Sequence, residues 1–179
     1  MHSLFVRVAG VGLALFTLSS CSKGDTPTPG ATTEAEQIFR YVDINPYGVI
    51  RLGAGFPDTS ALGVQIRPGV YRLDRKDGRP IQLGDTRAIL VALTPNHLVC
   101  AFHFLYLADK DFPAGVAEYE GTLGAATRTG ADSADSHIEL AVWQDSTTRL
   151  ELRRSIAGTD TVVTALLADR SLASDGCAR

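Results

Sequence analysis

Residues 137–153 read His-Ile-Glu-Leu-Ala-Val-Trp-Gln-Asp-Ser-Thr-Thr-Arg-Leu-Glu-Leu-Arg, and this run predicts a β-hairpin. Apolar and polar residues alternate on both sides of Asp145-Ser146-Thr147, which is the pattern of two half-buried antiparallel strands joined by a turn. The even-numbered apolar residues of both strands, from Ile138 to Leu152, are expected on the buried face. The polar residues between them are expected to face solvent.

The same alternation recurs along most of the chain after residue 37, interrupted at short intervals by Gly, Pro, Asp and Asn. Further strands are predicted at 39–44, 48–52, 62–66, 70–73, 80–83, 87–94, 97–107, 117–123 and 161–168. The last of these segments, at 162–169, is also compatible with a C-terminal helix. We therefore expect an all-β fold, an antiparallel sandwich or barrel of about ten short strands.

Residues 87–94 and 97–107 are apolar at both odd and even positions, which indicates strands that are covered on both faces. They are expected to form the middle of the core. Strict alternation along 97–107 places Cys100 and Phe102 on one face and His103 on the other. A thiol–imidazole pair of Cys100 with His103 is therefore not expected.

The start of the chain carries an export signal. Arg7 precedes an apolar run, 8–18, that is too short to anchor a protein as a membrane-spanning helix. The run ends in Leu18-Ser19-Ser20-Cys21, which resembles the lipobox of bacterial lipoproteins. The resemblance implies that Cys21 is diacylated on its sulfur and that residues 1–20 are removed. Ser22 stands where the inner-membrane lipoproteins of enterobacteria carry aspartate, so the resemblance implies an outer-membrane location.

Composition divides the chain into three parts. Residues 22–37 are polar and contain two prolines, so they cannot bury enough apolar surface to fold. We expect a signal peptide at 1–20, a lipidated cysteine and flexible tether at 21–37, and a single β-rich domain at 38–179. With 17 Lys and Arg against 20 Asp and Glu, the net charge is -3. That balance argues against nucleic acid as a partner and leaves membrane attachment to the lipid.

Two cysteines remain once Cys21 is lipidated, namely Cys100 and Cys177, and outside the cytosol they meet an oxidising environment. A disulfide between them is predicted, and it would hold the polar C-terminal tail against a central strand. The alternative is a buried, apolar Cys100 and a free thiol on Cys177.

Catalytic and metal-binding patterns are absent from the sequence, which has no Gly-x-Ser-x-Gly, His-Glu-x-x-His, phosphate loop or Cys-x-x-Cys. We expect neither a cofactor nor a metal. The candidate binding surface is Trp143 with His137 and Glu139, because these residues share a strand face predicted to be polar. A large aromatic ring among polar neighbours suits stacking on a sugar or covering a partner's apolar surface. Packing of Trp143 against another segment of the chain is the alternative.

These observations predict an envelope protein that is held to the membrane by the lipid on Cys21. Its expected role is that of a non-enzymatic binding or structural module, with an envelope protein or a glycan as partner. Two alternatives stay open. A secreted hydrolase with dispersed carboxylate and His residues needs no local motif, and a small barrel with double-faced apolar strands would enclose an apolar ligand.

Overall fold

Strands make up most of the architecture, as the alternation predicts. The structure is a computed structural model that describes residues 38–45, 47–56, 62–108, 110–157 and 160–177. The predicted signal peptide (1–20), the lipidated Cys21 and the tether (21–37) lie outside these described residues. In chain order the elements are β1 (Tyr41–Ile44), β2 (Gly48–Arg51), β3 (Leu62–Arg67), β4 (Val70–Leu73), β5 (Thr86–Leu93), β6 (Val99–Tyr106), α1 (Phe112–Leu123), β7 (Arg128–Ala131), β8 (Ile138–Gln144), β9 (Thr148–Ala157) and β10 (Asp160–Asp169).

The strands form two antiparallel sheets, an eight-stranded sheet and a β1–β2 hairpin. The large sheet has the order β3-β4-β5-β6-β10-β9-β8-β7, and within the described residues β3 and β7 are its edges, so the sheet is open. The all-β antiparallel prediction is confirmed, and the barrel alternative is not realised. Residues 162–169, for which a C-terminal helix was the alternative prediction, lie in strand β10. This strand pairs with both β6 and β9.

One face of the large sheet carries the main hydrophobic core. We call it the core face, and Ile89, Phe102, Leu152 and Leu167 lie on it with no exposed surface. The β1–β2 hairpin packs onto this face through its apolar residues, and so does α1. Burying a side chain of this size stabilises a fold by about 1.5–3 kcal/mol. The hairpin and the helix are therefore held to the large sheet by a shared apolar core, in a sandwich-like arrangement.

The opposite face of the large sheet, which we call the outer face, has a smaller apolar cluster at one end. There Ala101 and Ala168 lie in a cluster with Leu172 and Cys177 of the C-terminal segment. Cys177 forms a disulfide with Cys100, with their Cα atoms 5.9 Å apart, which confirms the predicted pairing. The rest of the outer face is largely half-exposed and mixes aliphatic with charged side chains.

A bulge in β6 changes the faces that alternation predicts for its residues. The pairing of β5 with β6 shifts register at Leu93, and both Cys100 and Ala101 lie on the outer face. Phe102 then lies on the core face and His103 on the outer face. Cys100 and His103 therefore share a face, against the prediction, because a bulge inserts one extra residue into a strand.

The hairpin at 137–153 forms as predicted, as β8 and β9, and Leu150 and Leu152 of β9 lie in the core as expected, but the two faces of β8 are the reverse of those expected. The pairing of Gln144 with Arg149 next to the turn matches even-numbered residues of β8 with odd-numbered residues of β9. Trp143 consequently lies opposite Leu150, and both belong to the main core. The even-numbered apolar residues of β8 face the outer side, where Leu140 lies opposite Arg153 and Val142 opposite Glu151. A one-residue difference in register reverses every side chain, and alternation alone does not determine the register.

Residues 117–123, predicted as a strand, form the second half of α1, so that prediction is wrong. The Asp111 carboxylate caps the helix by accepting the Ala114 N–H (3.3 Å), and Gly124 ends it with a φ of 76°. Apolar residues at 112, 116, 119 and 123 follow the helical period and pack against the core. In the part of the chain that the structure describes, no helix has the length and apolar character needed to cross a bilayer.

The strand predicted at 80–83 is reduced to one bridge, between Pro80 and Asp74. Proline has no N–H to donate to a strand ladder, which limits further pairing here. The chain turns before Pro80 with Gly78 at a φ of 78°, a conformation that glycine adopts without strain. Strand β4 instead pairs with β3 and β5.

Candidate functional site: a groove between helix α1 and strand β7

Trp143, the centre of the predicted binding surface, lies in the core with 2% of its surface exposed. Its indole Nε1 donates a hydrogen bond to the Gly124 carbonyl oxygen (3.0 Å), and its ring centroid lies 5.5 Å from that of Tyr119. The prediction of an exposed Trp143 is therefore wrong, because the register of β8 and β9 turns the ring inward. The side chain fixes the C-terminal end of α1 against the sheet.

The other two residues of the predicted surface are not beside an exposed tryptophan. His137 is exposed in the turn before β8, where its backbone N–H donates to the Asp135 carboxylate (2.9 Å). Glu139 is half-buried and forms an ion pair with Arg154 of β9 (2.6 Å). The structure thus separates the three predicted residues, and of them only Glu139 lines the groove considered next.

This groove lies between α1 and the β7–β8 edge of the large sheet and has a volume of about 410 Å³. Its lining includes side chains of α1 and of the two edge strands, namely Phe112, Val116, Ala117, Glu120, Thr129, Glu139 and Ala141. Most of these side chains are apolar, and the polar ones are few. A concave, mainly apolar surface with a few polar groups is the usual form of a binding site.

A polar cluster ties α1 to the sheet and so fixes one wall of the groove. The hydroxyls of Tyr119 on α1 and Tyr106 on β6 lie 2.9 Å apart and share a hydrogen bond. Burial raises the pKa of both tyrosines, so both are uncharged at neutral pH. Lys110 lies just before the helix and donates from Nζ to Glu118 (3.1 Å) and Asp85 (3.2 Å). The helix is thereby bonded to the sheet through polar groups as well as through the core.

Arg154 links the two walls of the groove. Its guanidinium carbon lies 5.6 Å from the centroid of the Phe112 ring, and its Nη2 contacts the Glu139 carboxylate. A cation over an aromatic ring contributes about 0.5–1 kcal/mol at an exposed site. Arg154 Nε is buried and has no hydrogen-bond partner among the described residues. Glu120 adds an exposed carboxylate at the rim, where it accepts the Ala126 N–H (3.4 Å).

Strand β7 is the sheet edge beside this groove, and half of its backbone groups point away from β8. The Asp132 N–H, just after the strand, bonds inward to the Ile138 carbonyl oxygen (2.7 Å). Inward and outward groups alternate along an antiparallel strand, so Thr129 and Ala131 direct their N–H and C=O groups outward. Within the described residues no strand pairs with this edge. The Arg128 guanidinium donates a hydrogen bond to the Ala131 carbonyl oxygen (3.3 Å), so this outward group already has a hydrogen-bond partner.

Sequence reasoning found Glu139 but missed the groove, because it missed both of the elements that form it. The apolar residues at 112, 116, 119 and 123 have helical spacing, and this signal would have identified α1. Strand β7, Arg-Thr-Gly-Ala, is fully exposed and has no apolar alternation, so its sequence carries no comparable signal. Its position follows only from its pairing with β8.

The histidines that the hydrolase alternative would use lie apart in the described part of the chain, although His103 and Glu151 line one pocket on the outer face. His97 lies between β5 and β6, His103 on the outer face and His137 in the turn before β8. Among the described residues, no three His, Cys, Asp or Glu side chains are grouped so as to hold a metal ion. A barrel around an apolar ligand requires a closed sheet, and this sheet is open.

Comparison of the chain with protein-family models, with curated proteins and with solved structures gives no match. The geometry of the groove and of the strand edge is therefore the basis on which a function is argued.

Proposed function

We propose that the protein is a lipid-anchored binding module of the bacterial cell envelope, located at the outer membrane. Its groove between α1 and β7 binds an extended segment of a partner protein. The observation that carries this proposal is the edge of β7, with which no strand of the described residues pairs, beside a mainly apolar groove. An exposed strand edge offers donors and acceptors to an incoming strand, and neighbouring pockets take its alternate side chains. Main-chain bonds then supply affinity, and the groove supplies selectivity.

The lining of the groove indicates the chemistry of the bound segment. An apolar side chain would pack against Phe112 and Val116, and a Lys or Arg two residues away would reach the exposed Glu120 at the rim. The space beside Gly130 is open, because a Cβ atom built at this position would meet no atom within 4 Å. An extended segment with one apolar and one basic side chain on the same strand face therefore fits this site.

The first described residues, which would follow the proposed tether, are hydrogen-bonded to other parts of the domain. The Ile38 N–H donates to the Asp145 carboxylate (3.0 Å), and Arg40 donates to the Thr148 hydroxyl (3.3 Å) and to the Asp169 carboxylate. Burial acts to raise the pKa of Asp145, but hydrogen bonds from backbone N–H groups outweigh it and lower the pKa below its usual value. The first described residues are thus bonded to the β8–β9 turn, as is appropriate for a domain held by its preceding segment.

Replacement of the acyl acceptor tests the anchor. Cys21→Ala is expected to abolish both metabolic labelling with a radioactive fatty acid and recovery in the membrane fraction, because the acyl chains are the proposed anchor. Ser22→Ala, which leaves the cysteine in place, is the control and should be labelled like the wild type. In an enterobacterial host, Ser22→Asp should move the protein to the inner membrane. Labelling of Cys21→Ala at the wild-type level would contradict the lipoprotein proposal.

Substitution of Thr129 tests strand addition at β7. Peptides are first selected from a displayed library on the full chain in an uncharged detergent. Thr129→Pro removes an outward N–H that β8 does not use, and proline is tolerated at such edge positions. We expect it to weaken peptide binding at least about tenfold, because a main-chain bond is lost and the ring obstructs the edge. Affinities are measured by isothermal titration calorimetry.

The matched control is Thr129→Val, which keeps the N–H and should bind within about twofold of the wild type, since only the hydroxyl is lost. A second pair tests the groove itself. Ala117→Arg fills the groove and should weaken binding, whereas Ala114→Arg changes an exposed residue of α1 outside the groove lining and should not. Equal affinity of the peptides for Thr129→Pro and Thr129→Val would contradict binding at this edge. Selection of glycans but no peptides in a parallel screen would contradict a protein partner.

A further inference from the structure

A stripe of charged side chains lies on the outer face, on the opposite side of the sheet from the groove. Glu151 of β9 is only 6% exposed. Arg149 and Arg153 each direct Nε and Nη2 to one of its carboxylate oxygens, at distances of 2.6 to 3.1 Å. Burial acts to raise the pKa of Glu151, but the two arginines lower it below its usual value, so the carboxylate stays ionised. Each guanidinium keeps its Nη1 donors outside this contact, which leaves them able to bind another anion.

A pocket of about 340 Å³ lies beside this stripe, lined by Arg153, Glu151, Thr164, Leu166 and His103 among others. Cross-strand pairing holds these residues in place. Arg153 of β9 lies opposite Thr164 of β10, and Leu166 of β10 lies between Glu151 of β9 and His103 of β6. Three adjacent strands thus bring a guanidinium, a hydroxyl and an imidazole to one pocket.

The imidazole of His103 is in an unusual position for an outer sheet face. Its Nε2 is buried and has no hydrogen-bond partner among the described residues. Burial and, to a lesser degree, the positive charge of Arg67 lower the pKa of His103 to about 4, so the ring is uncharged at neutral pH. An unpaired buried polar atom is unfavourable, and a rotation of the ring that turns Nε2 into the pocket would let a ligand bond to it and remove that penalty. Arg67 is thus a positive charge close enough to act on the ring, and such a charge also favours an anion.

We propose that this pocket binds a phosphate group, held by the Arg153 guanidinium, the Thr164 hydroxyl and the Nε2 atom of His103. The Nη1 donors of Arg153, which Glu151 does not use, can bond to a phosphate oxygen, and the hydroxyl and the neutral imidazole N–H add two uncharged donors. Glu151 does not prevent this, because two arginines balance its single negative charge. Asp132, whose carboxylate lies 3.6 Å from Arg153 Nη2, balances the second arginine, so these four side chains are formally neutral together. The site is independent of the groove. The phosphate group could come from either of two sources, dissolved phosphate or the headgroups of anionic phospholipids.

Nuclear magnetic resonance of the full chain in an uncharged detergent tests the site with inorganic phosphate as the probe. We expect phosphate to shift the ring signals of His103 and the Nε signal of Arg153 in a saturable manner, at constant ionic strength kept with chloride. A shift that does not saturate, or that chloride reproduces, would overturn the proposal.

Two substitutions show which groups bind the probe. Thr164→Val replaces the hydroxyl by a methyl of the same shape and should weaken phosphate binding about tenfold, as expected for one hydrogen bond to a charged group. Arg153→Lys keeps the charge but loses the Nη1 donors that Glu151 does not use, and it should also weaken binding. Arg79→Gln is the charge control, because Arg79 is 79% exposed and outside this pocket, and it should bind like the wild type. Equal affinities in all four proteins, with unchanged thermal unfolding, would overturn the proposal.

A second arm distinguishes the sources of the phosphate group. The lipidated chain is placed in bilayer nanodiscs made either of phosphatidylglycerol or of a glycolipid that contains no phosphate. If headgroups occupy the site, the His103 signals should shift in phosphatidylglycerol alone, without added phosphate. If dissolved phosphate is the ligand, the signals should shift in both nanodiscs only when it is added. No shift under either condition would contradict a phosphate site.

Discussion

Truncation of Trp143 to alanine is expected to lower the free energy of unfolding by about 3 to 5 kcal/mol. The ring is almost fully buried between the sheet and α1, so its removal leaves a cavity that the surrounding strands fill only in part. The Gly124 carbonyl at the end of α1 also loses its indole partner. Urea unfolding of the full chain in an uncharged detergent, followed by circular dichroism, measures the change.

Trp143→Phe is the matched variant for this prediction. It keeps an aromatic ring against Tyr119 but loses the hydrogen bond to Gly124, so its destabilisation should be smaller than that of Trp143→Ala. If Trp143→Ala instead unfolds within about 0.5 kcal/mol of the wild type, the ring lies at the surface. That result would mean that β8 pairs with β9 in a register one residue away from the one described, with Trp143 exposed. Trp143 would then again be a candidate for the binding surface.

Removal of the Cys100–Cys177 disulfide is expected to have a comparable effect. The bond closes a loop between residues 77 positions apart, and the chain-entropy model gives a stabilisation of about 4.5 kcal/mol for a loop of that length. The C-terminal segment should also leave the outer face, because Leu172 and Cys177 pack against the small cluster there. Unfolding of the Cys100→Ala, Cys177→Ala double variant is compared with that of the wild type without reductant.

The double variant also creates a cavity at Cys100, so the reduced wild-type protein is the control. Reduction breaks the bond without removing either sulfur atom. It should lose most of the same stability. Mass spectrometry of a proteolytic digest made without reductant should show the two cysteines in one linked peptide pair. Two separate, unlinked peptides would contradict the pairing.

Period-two alternation was sufficient to predict the all-β antiparallel class, the central pair β5–β6 and the 137–153 hairpin. It placed Leu150 and Leu152 of β9 on the buried face correctly, but it did not predict which face of β8 contacts the main core. The pairing of Gln144 with Arg149 reverses the two faces of β8. Because β8 has apolar residues at both odd and even positions, its sequence does not indicate which face contacts the main core. The bulge at Cys100 moves one residue of β6 to the other face in the same way. Register is a property of two strands together, so the pattern of a single strand does not determine it.

The candidate site was less predictable than the fold. Glu139 was identified, but as the neighbour of an exposed Trp143 rather than as the ion-pair partner of Arg154 in a groove. Helix α1 was taken for a strand over its second half, because short apolar segments suit either period. The phosphate pocket depends on residues of β6, β9 and β10, which pairing brings together from distant parts of the chain. No local motif marks such a site.

Hydrogen exchange at β7 tests strand addition most directly. In the free protein the outward amides of Thr129 and Ala131 have no strand partner among the described residues, so they should exchange rapidly. Addition of a selected peptide should slow exchange at these two amides at least about tenfold, while the outward edge of β3 stays unchanged as an internal control. Slow exchange at both amides before any peptide is added, or unchanged rapid exchange with peptide bound, would contradict binding by strand addition at β7.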